Sequence, residues 1–164
     1  MGSRLLLLFG IVLAQAAQQP SSAAALRDLS ECPSRTIART EKWKEAFADR
    51  EFVLQLPEGF EPVPTKERYM HGGQQWARGT VKVEMVWGMW GRSSFQESSV
   101  PCKTEIARVP AMLIRPKVTD RPHATVWYMT GTVHEPLVTA WSSEPGDAAL
   151  VEAIIRAGSA RPAR

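Results

Sequence analysis

The chain has 164 residues, 44% of them hydrophobic and 23% charged, with 11 Gly and 12 Pro, a composition of ordinary globular proteins that excludes fibrous and wholly disordered classes. It has room for one modest domain. Its 20 Lys and Arg against 17 Asp and Glu leave a net charge of +3, scattered rather than gathered into runs, so no nucleic-acid surface is expected.

Arg4 followed by the apolar run at residues 5–14 and the small residues around Ala14 and Ala16 read as a secretory signal peptide over 1–16, cleaved after Ala16. A spanning helix needs about 20 apolar residues, and Gln15, Gln18 and Gln19 stop this run at roughly half that length. No stable membrane span is therefore expected after cleavage. Residues 17–31 are small and polar at first and read as a flexible leader, residues 32–158 as a single domain and residues 159–164 as a tail. Two cysteines in an exported chain, Cys32 and Cys102, favour a disulfide that ties the N-terminal segment to a sheet.

In chain order, Trp43 and Phe47 stand four apart with Ala46 between them and predict a short amphipathic N-terminal helix over 40–49, capped by Thr40. Phe52, Leu54 and Leu56 alternate up to the turn at Pro57-Glu58-Gly59 and predict a strand. Gly72-Gly73 suits a tight hairpin turn between residues 69–71 and 75–78. The clearest strand covers 80–87, where Val81, Val83, Met85 and Trp87 form one row. A second hairpin is expected around Arg108-Val109-Pro110. Residues 124–130 are apolar on both faces, which predicts a central strand, and residues 137–142 supply another. Leu150, Val151, Ile154 and Ile155 form the stripe of a C-terminal helix, with Asp147 as N-cap and Gly158 as its stop. Glu152 and Arg156 read as a solvated pair on the opposite face.

Together these elements predict an α+β fold: an antiparallel β-sheet of about five to seven strands with the C-terminal helix and the short N-terminal helix packed on it. The phrase FVLQLPEGF at 52–60, the hairpin with Trp76, the strands around Trp127 and Trp141 and the terminal DAALVEAIIRAG resemble small exported PsbP-like domains. The resemblance implies an antiparallel sheet sandwiched by helices and an accessory or assembly role, with no shared catalytic set to carry over.

Chemistry is sparse. His71, His123 and His134 offer a metal-ligand or acid/base reading, but HExxH is absent and no two stand at i, i+4. Gly91-Arg92-Ser93-Ser94-Phe95 lacks the second glycine of a nucleophile elbow, and no glycine-rich run has the spacing of a nucleotide fingerprint, so no cofactor is expected. Trp90 and Arg92, in the run Trp87-Gly88-Met89-Trp90-Gly91-Arg92 where the strand alternation ends, are the candidate binding residues, with Tyr69 and His71 on a neighbouring turn. The function expected is a non-enzymatic exported binding or accessory domain acting on an envelope or extracellular protein partner. The alternative is a small periplasmic hydrolase or metal-dependent enzyme using the loop histidines. The absence of Asn removes N-glycosylation sequons, and the Ala-, Arg-, Gly- and Pro-rich composition points to a periplasmic or secreted bacterial setting.

Overall fold

The structure, a computed structural model, describes residues 25–33, 37, 39, 41–64, 72–88, 99–132 and 134–161. The segment read as a signal peptide lies outside them.

Two antiparallel sheets carry the fold. The larger has seven strands, β3 (Glu61–Val63), β4 (Gly73–Arg78), β5 (Val81–Gly88), β6 (Ser99–Ile106), β7 (Val109–Pro116), β8 (His123–Tyr128) and β9 (Glu135–Ser142), in the order β3-β4-β5-β9-β8-β7-β6. The smaller joins β1 (Trp43–Ala48), β2 (Phe52–Pro57) and β10 (Gly158–Ala160) in the order β1-β2-β10. A helix, α1 (Ala148–Ile155), follows a 3-10 turn at Pro145–Asp147.

The alternation read from the sequence sets the faces. Val83, Met85, Val138, Ala140, Val126 and Leu113 are wholly buried on the inner face of the large sheet, against Phe52, Leu54 and Leu56 of β2 and Val151, Ile154 and Ile155 of α1. Each large aliphatic side chain so buried contributes about 1.5–3 kcal/mol of transfer free energy, which makes this seam the main source of stability. β8 is interior to the sheet and buried on both sides, as its apolar run requires: Val126 and Tyr128 face inward, while Trp127 packs outward with Leu29, Met112, Ile114 and Met129.

Leu29 brings residues 29–32, the end of the segment read as leader and the start of the domain, onto that outer face. Lys103 N–H donates to Ser30 O at 2.9 Å and Cys32 N–H to Lys103 O at 2.8 Å, alongside the edge strand β6. A disulfide joins Cys32 to Cys102 of β6, with Cα atoms 5.0 Å apart. The expected tie between the N-terminal segment and the sheet is present.

Several local expectations are corrected. Residues 43–48 of the expected N-terminal helix form strand β1, whereas Thr40 lies outside the described residues. Two apolar residues four apart satisfy a period of two as well as one of 3.6, and the register with β2 shifts between Glu45 and Phe47, so Ala46 is the bulge residue and not part of a helical face. A ten-residue helix has little stability alone; pairing with β2 satisfies the backbone and sets Phe47 against Trp87, ring centroids 5.2 Å apart. Gly73 opens β4, opposite Val86, and the turn into β5 is Gly79-Thr80, so Gly73 is strand and not turn, whereas residues 69–71 of the expected first arm lie outside the described residues. Gly72 instead serves close approach: its φ is +91°, and a Cβ there would stand 2.9 Å from the Trp87 ring. The second hairpin is present with its turn at Ala107 and Arg108, at φ +49° and +67°.

At the C-terminal end, the Asp147 side chain makes no cap bond to α1; its Oδ2 accepts the hydroxyls of Thr80 and Ser142 instead. The helix stops at Ile155, and Gly158 already belongs to β10, paired with Leu54. Glu152 is buried, not solvated: it accepts Arg115 Nη2 on both oxygens at 2.6 and 2.7 Å and Arg156 Nε at 3.0 Å. Burial raises its pKa, but the two guanidinium groups outweigh that and hold it below the ordinary value.

Candidate functional site

Register brings together what the sequence separates. On the outer face, Lys82 of β5 pairs with Trp141 of β9, and Trp141 pairs with His123 of β8, so an indole stands between an ammonium and an imidazole in one cross-strand row. Cross-strand neighbours have Cβ atoms about 5 Å apart, close enough for these side chains to act on one ligand. The β4–β5 turn and the segment before β8 close this row into a groove of about 510 Å³, whose lining includes Thr80, Lys82, Arg121, His123, Trp141 and Ser143. Thr119 shapes the segment, its hydroxyl donating to Arg121 O and accepting Arg121 N–H.

The groove is electrostatically one-sided. No carboxylate lines it, and among the described residues no hydrogen bond or ion pair engages the side-chain nitrogens of Lys82, Arg121, His123 or Trp141. Glu84, in the adjoining row, accepts Gln75 Nε2 at 2.6 Å, and loss of water raises its pKa. Asp147 is taken by the Ser142 and Thr80 hydroxyls, which lower its pKa. His123 is exposed at the groove wall, yet partial desolvation lowers its pKa below the ordinary 6.5. An anion placed against it reverses that shift, because a nearby negative charge favours the imidazolium.

His134 stands at the other end of the large sheet. β8 and β9 run antiparallel from His123 opposite Trp141 to Trp127 opposite Leu137, and His134 precedes β9. The two imidazoles are thus about 20 Å apart at the rise of a strand, too far to share one ion or act on one reacting atom. Among the described residues there is no group of three or more His, Cys, Asp or Glu placed to hold a metal ion, and no helix is long and apolar enough to cross a membrane. Tyr69, His71, Trp90 and Arg92 lie outside the described residues.

His134 lines a second, smaller cleft of about 100 Å³ between the two sheets, with Phe47, Phe52, Met85, Trp87, Thr130 and Pro136 as walls and Asp49 and Glu51 at the β1–β2 turn. Of the groove, the sequence singled out His123 alone. Lys82 was legible only as a wet-face residue of its strand, and Trp141 only as a strand aromatic. What makes them a site is the order β5-β9-β8, which no local pattern carries. No protein-family model matches the chain, and neither does any curated protein.

Proposed function

We propose that this protein is an exported, non-enzymatic binding domain that takes an acidic segment of an envelope or extracellular protein partner into the groove around Trp141. The observation that carries the reading is the conjunction of Lys82, Arg121 and His123 about one indole in a groove without a lining carboxylate. Such a surface attracts carboxylates and gives the stem beside them a flat apolar platform. The signal-like N-terminus and the Cys32–Cys102 disulfide support an oxidising compartment, periplasmic or extracellular. The PsbP-like resemblance points to accessory proteins of the same general kind. The hydrolase alternative gains nothing from the separation of His123 and His134.

The test is a titration of the protein with a synthetic Glu/Asp/Tyr peptide at low salt, followed by NMR. Binding should raise the His123 pKa toward or above its ordinary value, weaken as salt screens the charges, and fall about tenfold in Lys82→Gln/Arg121→Gln, since two exposed ion pairs are worth up to about 1 kcal/mol each. An unchanged His123 titration, or equal binding by the double variant, refutes the reading. A single-stranded oligonucleotide bound as tightly as the peptide would also overturn it, by assigning the groove to another partner class.

A further inference from the structure

We infer that the cleft between the sheets is a second binding site, separate from the groove, that takes a primary ammonium carried on a short apolar stem. Its walls and its rim differ in chemistry. Phe47 and Trp87 meet at 5.2 Å between ring centroids, tilted by 36°, and with Phe52, Met85 and Pro136 they make the apolar, aromatic part of an interior that Thr130 and His134 complete with polar groups. Asp49 and Glu51, both exposed, stand at the mouth on the β1–β2 turn.

The turn holds the Asp49 carboxylate in place without pairing it to a cation. Asp49 Oδ1 accepts the backbone N–H groups of Glu51 and Phe52 at 2.8 and 2.7 Å, which fixes the side chain and leaves Oδ2 for a ligand. The nearest cation that the hydrogen bonds record, Arg161, donates from Nη1 to the main-chain carbonyl of Asp49 and from its backbone N–H to Glu51 O, so neither carboxylate is its acceptor. Among the described residues, Glu51 forms no side-chain ion pair.

Size and charge then choose the ligand. An apolar cavity of about 150 Å³ holds benzene; at about 100 Å³ this cleft accepts a chain of roughly four or five heavy atoms and no ring system. Aromatic faces attract cations and carboxylates pair with them. An anion would meet two negative groups at the entrance, and a neutral alkane would leave them unused. The shared chemistry fits a free alkylamine and a lysine side chain of a partner alike.

The experiment uses the full exported chain and three probes of matched length: n-butylammonium, n-butanol and butyrate, read by the Trp87 indole N–H in NMR. The ammonium should bind up to about fivefold more tightly than the alcohol, the discrimination that a surface charge pair of up to about 1 kcal/mol supplies, and butyrate should not bind. Asp49→Asn/Glu51→Gln keeps an oxygen for the turn while removing the charges, so it should fold normally and lose the preference for ammonium. N-acetyl-lysine-methylamide distinguishes the sources: tighter binding than n-butylammonium assigns the site to a peptide lysine, weaker binding to a free amine. Equal shifts from all three probes, no shift at millimolar ammonium, or an unchanged preference in the charge-neutral variant would each overturn the assignment. None of these outcomes depends on the groove around Trp141.

Discussion

Replacing Glu152 by Ala removes the common partner of two arginines at the junction of α1 and β7. The Glu152 side chain is 10% exposed, that of Arg156 18% and that of Arg115 31%, and Arg156 Nη2 is already buried without a hydrogen-bond partner. Breaking a fully buried ion pair by deleting one member costs about 3–5 kcal/mol, because the survivor keeps its desolvation penalty. Arg115 can recover much of its hydration, whereas Arg156 cannot. The expected loss therefore falls below that range, about 2–3 kcal/mol, or about 5–10 °C in melting temperature for a domain of this size. Urea unfolding of the disulfide-intact protein, followed by tryptophan fluorescence, measures it at unchanged m-value. A companion variant, Glu152→Leu with Arg115→Met and Arg156→Met, removes all three charges and should recover most of the loss. The carboxylate's depressed pKa adds an acid arm. Stability from this cluster is fully present above the ordinary value of 4.5 and is lost as pH falls through the lower folded-state value, so Glu152→Gln should flatten the acid limb of the wild-type curve. A loss below about 0.5 kcal/mol in Glu152→Ala would refute the reasoning and return the cluster to a solvated surface pair.

Three further outcomes follow from the core and from the β6–β7 turn. The Tyr128 hydroxyl donates to Ile155 O and accepts Gly158 N–H, and burial pushes its pKa above the usual phenol range; Tyr128→Phe strands both backbone groups and should cost about 2–3 kcal/mol by urea denaturation. Gly158→Ala should cost at least as much, because its Cβ would lie 2.5 Å from Tyr128 Cζ and closer still to the Phe52 ring. By contrast, Arg108→Gly should stabilise by up to about 1 kcal/mol, since the residue holds φ +67° and makes no side-chain hydrogen bond within the described residues. Thermal melts check it, and a lowered melting temperature would show that the arginine stem packs usefully on the turn.

The strands with unbroken alternation were legible because period two is written into them: Val81, Val83 and Met85 each landed on the buried face, and β8 took the interior position that its two apolar faces demand. Failures arose where a side chain's surroundings come from elsewhere in the chain. Trp43 and Phe47 carry too short a pattern to separate helix from strand, and β2 decides between them. Glu152 has helical spacing to Arg156, but it is Arg115, 37 residues away, that draws it inward. Both clefts are assembled the same way. The groove needs three strands in one order, and the smaller cleft needs two sheets face to face, so the sequence could name His123 and His134 without saying which neighbours each would have.

The short N-terminal strap along β6 also determines how the molecule ends in space. β6 is the last strand of the large sheet, and an outermost strand offers its free N–H and C=O groups to any other chain in reach. Here Pro101 offers no N–H, both backbone groups of Lys103 are occupied by Ser30 and Cys32, and the covalent link through Cys102 keeps that partner from leaving. The strap thus covers the middle of this border, and the disulfide raises the cost of peeling it away to expose that stretch to another chain.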